Sequence, residues 1–283
     1  MLEQARRQTV TGLVYLALEK KDFHLPGDVI FKLTNRISAL VNRNLKIQAV
    51  ETSVLNLFGQ LHPVVMKGSV CAARYPSPLM RESGDIDLYF SEEEYPAAVN
   101  LIGDDYYLNS DEGLCFFRDD CTVELHNRYY DLHTSNVPDI STPEGELLML
   151  AAHIFKHASG PGVGLRQICD FALAWRAYNG NMDNVFRAAG LEKWARLLLS
   201  FIHDYIDPSV QVRHINPKPL LRLIDKSGNF GHHSASRGRR LQKSPFIRKT
   251  DTALRILAHI PFALRYAPGE VFPRIKELVK GNI

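Results

Sequence analysis

Two stretches decide how this chain is read: Val64-Val65-Met66-Lys67-Gly68-Ser69, and Arg81-Glu82-Ser83-Gly84-Asp85-Ile86-Asp87-Leu88-Tyr89-Phe90. The apolar run Val64 to Met66 predicts a short strand that ends at Lys67-Gly68-Ser69. Ile86 to Phe90 predicts a second strand with Asp85 at its mouth, and Cys121 to His126 alternates as a third. Ser91 followed by Glu94 forms a capping box, opening a helix over Tyr95 to Ile102 between the last two strands. Strands with an interposed helix indicate a small α/β sheet, not an all-helical bundle.

Outward from this centre both flanks read as helical. Ile30, Leu33, Ile37, Leu40 and Val41 recur at three- and four-residue steps, and Val54, Leu55, Leu57 and Phe58 continue that stripe. Ser141-Thr142-Pro143-Glu144 is a helix start, with a capping hydroxyl and a proline in the first turn. That helix runs to about Ala158, where Ser159-Gly160-Pro161-Gly162 breaks it. Further helices are expected over 163–178, 183–189, 192–206, 252–266 with a kink or break at Pro261, and 270–279. The expected organisation is a helical segment over 1–60, a sheet core over 61–135 and a helical region over 136–283.

The chain has 283 residues, of which 45% are hydrophobic and 23% charged, so a disordered or fibrous protein is excluded. No stretch is apolar for the eighteen or more residues that a membrane span needs, and the N-terminus lacks a signal peptide's pattern. The expectation is a cytoplasmic protein. Cys71, Cys115, Cys121 and Cys169 form no CxxC pair and are expected to be buried, reduced thiols. The net charge of +3 implies no partner, but residues 226–249 hold seven Lys or Arg and no acid. This basic loop is most simply a solvated connection; it is also suited to an anionic acceptor, a nucleic acid or an acidic membrane surface.

The central motifs suit chemistry on a polyphosphate. A glycine lets the backbone approach phosphate oxygens without a Cβ in the way, and Ser69 adds a hydroxyl donor. Aspartates at i and i+2 on a strand point to one face, so Asp85 and Asp87 can bind one or two hard cations together. A two-metal site usually wants a third acid. Glu124 and His126 share the face opposite Val123 and Leu125, and an adjacent strand in the right register would bring Glu124 beside the aspartates.

At these residues the chain resembles the DNA polymerase beta-like nucleotidyltransferase superfamily, which pairs Gly-Ser after a strand with a downstream aspartate pair and a third carboxylate. Within it the chain is most similar to the bacterial uncharacterised nucleotidyltransferase family. The matching residues are Met66-Lys67-Gly68, Tyr75-Pro76-Ser77-Pro78-Leu79-Met80-Arg81, Gly84-Asp85-Ile86-Asp87-Leu88 and Val123-Glu124-Leu125-His126. Gly164-Leu165-Arg166-Gln167 and Gly228-Asn229-Phe230-Gly231 extend the likeness. One departure is the fifteen residues between Ser69 and Asp85, longer than in many superfamily members and accounted for by the Tyr-Pro-Ser-Pro loop. The resemblance implies an α+β fold, a minimal nucleotidyltransferase core with helical N- and C-terminal segments. It further implies nucleotidyl transfer from an NTP such as ATP, with Mg²⁺ or Mn²⁺. Asp85, Asp87 and Glu124 are then the catalytic and metal-binding residues, and Lys67, Gly68, Ser69, Arg81 and Arg166 the nucleotide-binding ones. The acceptor stays open among a small molecule, a sugar-phosphate, a protein and a nucleic acid. Two rival readings are a nucleotide-binding regulator without turnover and a nucleic-acid-binding or toxin-like protein.

Two helical pairs have plainer readings. His153 and His157 share a helix face, but a zincin would need Glu where Ile154 stands. Arg166 and Asp170 are spaced for an ordinary intrahelical ion pair.

Overall fold

A computed structural model of the chain describes residues 1–21, 24–110, 113–160, 162–227 and 257–280. It divides into two compact units: Met1–Arg6 with Val10–Tyr129, and Arg7–Thr9 with Tyr130–Ile283.

The first unit is a mixed α+β structure. Helices α1 (Leu2–Arg7), α2 (Thr11–Lys20) and α3 (Gly27–Leu57) precede strand β1 (Val64–Val65), the one-turn helix α4 (Ser69–Ala72) and a 3₁₀ turn at Pro78–Met80. Strand β2 (Ile86–Tyr89), helix α5 (Tyr95–Ile102) and strands β3 (Leu108–Ser110), β4 (Gly113–Arg118) and β5 (Cys121–His126) complete it. The sheet order is β1-β2-β5-β4-β3, with β2 and β5 parallel and the other neighbours antiparallel.

Its core follows from the strand period of two. Ile86, Leu88, Val123, Leu125, Leu114 and Phe116 point to one face and pack with Ile47, Val50, Val54 and Phe58 of α3 and Ala98 of α5. Burying such side chains contributes about 1.5–3 kcal/mol each, so this face anchors the sheet and leaves the other for polar residues. The α3 stripe runs through Leu33, Ile37, Leu40, Asn44, Ile47, Val50 and Val54, whereas Ile30 is 48% exposed. Asn44 is the polar member of that stripe. Its Nδ2 donates to the carbonyls of Leu79 and Arg81, both at 2.7 Å, tying the loop before β2 to α3.

Two strands depart from the sequence reading. β3 and β4 were not expected, because Leu114-Cys115-Phe116-Phe117 is an unbroken apolar run with no alternation to mark it. The β4–β5 hairpin turns on Asp119 and Asp120, both at positive φ (47° and 60°). A two-residue turn with both positions left-handed normally advertises itself by Asn-Gly, which is lacking here.

The second unit is helical: α6 (Pro143–Ala158), α7 (Leu165–Ala177), α8 (Asp183–Ala188), α9 (Glu192–Tyr205), α10 (Lys218–Ser227), α11 (257–266) and α12 (Val271–Lys280). Thr142 caps α6, its Oγ1 accepting from the Gly145 N–H at 3.1 Å. The Gln167 side chain caps α7 by accepting from the Gly164 N–H at 2.7 Å. Trp194 of α9 is fully buried and donates its indole N–H to the Ala151 carbonyl of α6 at 2.8 Å. The expected basic loop over 226–249 is corrected at its start, since residues 226 and 227 close α10. The rest of it, with Gly228-Asn229-Phe230-Gly231, lies outside the described residues. No described helix is long and apolar enough to cross a membrane.

Candidate active site

The polar face of the sheet is built around Asp87. In the β2–β5 register Asp87 lies opposite Glu124 and Tyr89 opposite His126, while Cys115 of β4 lies on the far side of Glu124. Residues of like parity share a face, so Asp87, Glu124, His126 and Cys115 converge where Ile86, Leu88, Val123 and Leu125 cannot. Asp87 is 3% exposed. Its Oδ1 lies 3.0 Å from Lys67 Nζ and 3.0 Å from His126 Nε2, and His126 Nε2 is 3.7 Å from Glu124 Oε2.

One ligand atom from each of Asp87, Glu124 and His126 falls within 4.8 Å of the others. Asp85 is not in that trio. Along a strand, residues i and i+2 sit about 6.8 Å apart, whereas residues opposite each other on neighbouring strands are about 4.8 Å apart. Cross-strand pairing therefore gathers Glu124 to Asp87 more closely than sequence adjacency gathers Asp85. The half-buried Asp85 precedes β2 and still bears on the trio electrostatically.

The charge balance shows what this group is suited to hold. Burial, and then the charges of Asp87 and Asp85, raise the Glu124 carboxyl to about 7, with His126 and Lys67 working against the rise. Three acids with partial compensation from one lysine make a strongly cation-attracting point. A divalent ion fits that donor set of two carboxylates and an imidazole, in place of the ammonium that otherwise neutralises Asp87. Burial and Glu124 likewise raise the Cys115 thiol to about 11, so it is an inert neighbour and not a nucleophile. All four cysteines are free thiols, and burial raises Cys169 to about 12.

The Gly-Ser turn stands at the end of β1, where the Met66 N–H donates to the Asp87 carbonyl at 3.0 Å. Gly68 adopts φ 57° and ψ −111° and leads into α4. Ser69 donates its hydroxyl proton to Glu51 Oε1 of α3 at 2.6 Å. Glu51 has no counterpart in the sequence reading, because the N-terminal helices carried no recognisable motif. The available hint was Asn44, a polar residue inside an apolar stripe and seven residues, two helical turns, before Glu51.

A Cβ on Gly68 would meet nothing closer than Asp85 O and Glu51 Oε2, each at 3.9 Å, so the constraint there is backbone conformation and not space. Gly68→Ala is expected to lower stability by about 1–3 kcal/mol, the cost of a side chain in that region. Denaturant titration measures it, and an unchanged midpoint would rule out this turn geometry.

Two further expected residues, Arg81 and Arg166, lie outside the strands of the sheet. Arg81 is 4% exposed, with its guanidinium on Ser83 Oγ at 3.2 Å, so it braces the loop before β2. Arg166 belongs to the second unit, where its backbone N–H donates to the Gln8 carbonyl at 3.3 Å; Arg166 and Asp170 are both buried. His153 and His157 are also there. His153 Nδ1 lies 3.1 Å from Asp131 Oδ2, Lys156 Nζ donates to Asp131 Oδ1 at 2.8 Å, and the two Nε2 atoms are 3.1 Å apart. Burial alone would raise the Asp131 carboxyl, but Lys156 and His153 outweigh it and hold it well below the ordinary carboxylate range.

A family model described as "Uncharacterised nucleotidyltransferase" matches residues 1–144. The chain belongs to that family. No curated protein and no solved structure matches it significantly. The match covers the whole sheet with Lys67, Gly68, Ser69, Asp85, Asp87, Glu124 and His126, and stops at the start of α6. The nucleotidyltransferase assignment therefore rests on the first unit, and α7 to α12 lie beyond it.

Proposed function

We propose that this nucleotidyltransferase-family protein transfers a nucleotidyl group from a nucleoside triphosphate to an acceptor hydroxyl or phosphate, with Mg²⁺ or Mn²⁺. The observation that carries the reading is the register: Glu124 stands directly opposite Asp87 on the polar face, on a strand parallel to β2. A third carboxylate beside the aspartates is what separates a site for turnover from one that only holds nucleotide.

The proposed work divides among the residues by position. Asp85, Asp87 and Glu124 hold the cation, with Glu124 also on the acceptor side, and Gly68 with Ser69 receives the triphosphate, Gly68 by leaving the backbone open to close approach. Ser69 has one hydroxyl proton, given to Glu51 in this state, so donation to phosphate requires the hydroxyl to turn away from Glu51. A bound divalent ion supplies charge neutralisation at the phosphate oxygens. Glu124 takes the proton of the acceptor hydroxyl. The freed oxygen bonds to the α-phosphorus, and the bond from that phosphorus to the bridging oxygen breaks, so pyrophosphate leaves with the electron pair. Catalysis is by positioning and electrostatics, without a covalent enzyme intermediate.

The test is a screen of the four NTPs with Mg²⁺ or Mn²⁺, scored by thermal shift and pyrophosphate release. At least one NTP is expected to stabilise the protein only when a divalent ion is present. Stabilisation by none of them would overturn the reading.

A further inference from the structure

His126 stood outside the ligand set of three acids, yet it is where the geometry adds most. We propose that His126 is a nitrogen ligand to the ion that Asp87 and Glu124 share, and that it turns the site toward first-row transition ions such as Mn²⁺ over Mg²⁺. This rests on the reading of the site given above and goes further, by naming the class of ion.

Position comes first. His126 follows Glu124 by two residues on β5, so both side chains leave the same face. Its strand partner is Tyr89, one same-face step past Asp87, which sets the imidazole diagonally across from the Asp87 carboxylate. The backbone there is pinned, since the Phe90 N–H donates to the His126 carbonyl at 3.0 Å. The ring lies at a strand end beside an acid that is 3% exposed, and its own side chain is 22% exposed.

Distance comes next. His126 Nε2 is 3.0 Å from Asp87 Oδ1 and 3.7 Å from Glu124 Oε2. Nitrogen and carboxylate donors about 2.0–2.2 Å from one ion, at tetrahedral to octahedral angles, stand about 3.0–3.5 Å from each other. The imidazole is thus already at ligand spacing from Asp87 and within a few tenths of an ångström of it from Glu124. Ligation uses the Nε2 lone pair, so the ion takes the place of the direct Nε2–Asp87 contact.

Chemistry then decides the class. Mg²⁺ prefers oxygen donors and retains several waters, whereas imidazole suits transition ions, whose affinities for nitrogen sites rise along the series from Mn²⁺. Three carboxylates alone would give an oxygen site indifferent to that distinction. Asp87, Glu124 and His126 give a mixed one. The competing role for His126 is a brace that only orients Asp87 by hydrogen bonding, which would leave the metal an all-oxygen shell.

The experiment uses the full chain with Mn²⁺ alone, then with Mg²⁺ as competitor, read by electron paramagnetic resonance. Pulsed spectra of bound Mn²⁺ are expected to show coupling to an imidazole ¹⁴N, replaced by ¹⁵N coupling when the histidines are isotopically labelled. In His126→Gln that coupling should vanish, and the preference for Mn²⁺ over Mg²⁺ should fall about tenfold. Bound Mn²⁺ without nitrogen coupling in the parent would overturn the inference while leaving the site reading intact, and this readout does not depend on the variant folding. An unchanged Mn²⁺ to Mg²⁺ ratio in a folded His126→Gln would overturn it as well. If neither ion binds the parent, the site reading itself fails and the inference with it.

Discussion

Asp87→Asn is expected to remove most of the metal-dependent stabilisation by nucleotide and to lower turnover about a thousandfold, the upper range for losing one preorganised electrostatic group. Asparagine keeps the shape and removes the charge. Asp87 is the most buried acid of the site and the meeting point of Lys67, His126 and the opposing Glu124. Removing its charge has opposing effects on the metal-free fold: Lys67 loses a counter-ion, while Glu124 loses the strongest of the charges that raise its carboxyl. The melting temperature without metal should therefore move little compared with the loss of function. Pairing the change with Asp85→Asn should remove any residual response. A double variant that binds Mg-NTP as tightly as the parent would move the site elsewhere.

Glu124→Gln has the second largest expected effect and a different signature. Turnover should fall about a hundredfold, as for a lost acid–base group, with NTP affinity nearly unchanged because the aspartates and the triphosphate oxygens still seat the ion. Single-turnover kinetics beside nucleotide titrations separate the two, and a loss confined to affinity would contradict the assigned role. Stability supplies an independent check. In the folded, metal-free protein the Glu124 carboxyl sits at about 7, above its ordinary value of 4.5. The folded state then binds more protons than the unfolded state between those values, so the parent loses stability as pH rises through that window. Glutamine removes this penalty. Glu124→Gln should melt higher than the parent near pH 8, with the difference closing as the pH falls toward 5.

Much of the fold was legible because its signals are local. An apolar run ending at Gly68 marks β1, the capping box at Ser91 marks α5, and Thr142-Pro143 marks α6, all within a residue or two of the observed bounds. Glu94 does not close its half of that box, however; its carboxylate takes His62 at 2.6 Å instead. The unread parts are pairings across the chain. Nothing in Cys121 to His126 alone states that it runs parallel to β2, or that Asp87 and not Asp85 lies opposite Glu124. Glu51 against Ser69, and Lys67 turned onto Asp87, are likewise contacts that no spacing rule encodes. Asp119 and Asp120, the nearest other acids to Glu124 in sequence, form the hairpin tip, with Asp120 paired to Lys46 at 3.2 Å. That pairing places them in the turn and not in the row of Asp87 and Glu124.

Lys67 carries a thermodynamic consequence. Its ammonium already occupies Asp87, so under the proposed function taking up a divalent ion would exchange one cation for another, and the affinity expected is net of displacing the lysine. A triphosphate arriving with the ion offers the displaced ammonium a new partner. Each ligand would then lower the cost of admitting the other, and the factor by which metal tightens nucleotide binding is expected to equal the factor by which nucleotide tightens metal binding. An assay with either one alone would understate both.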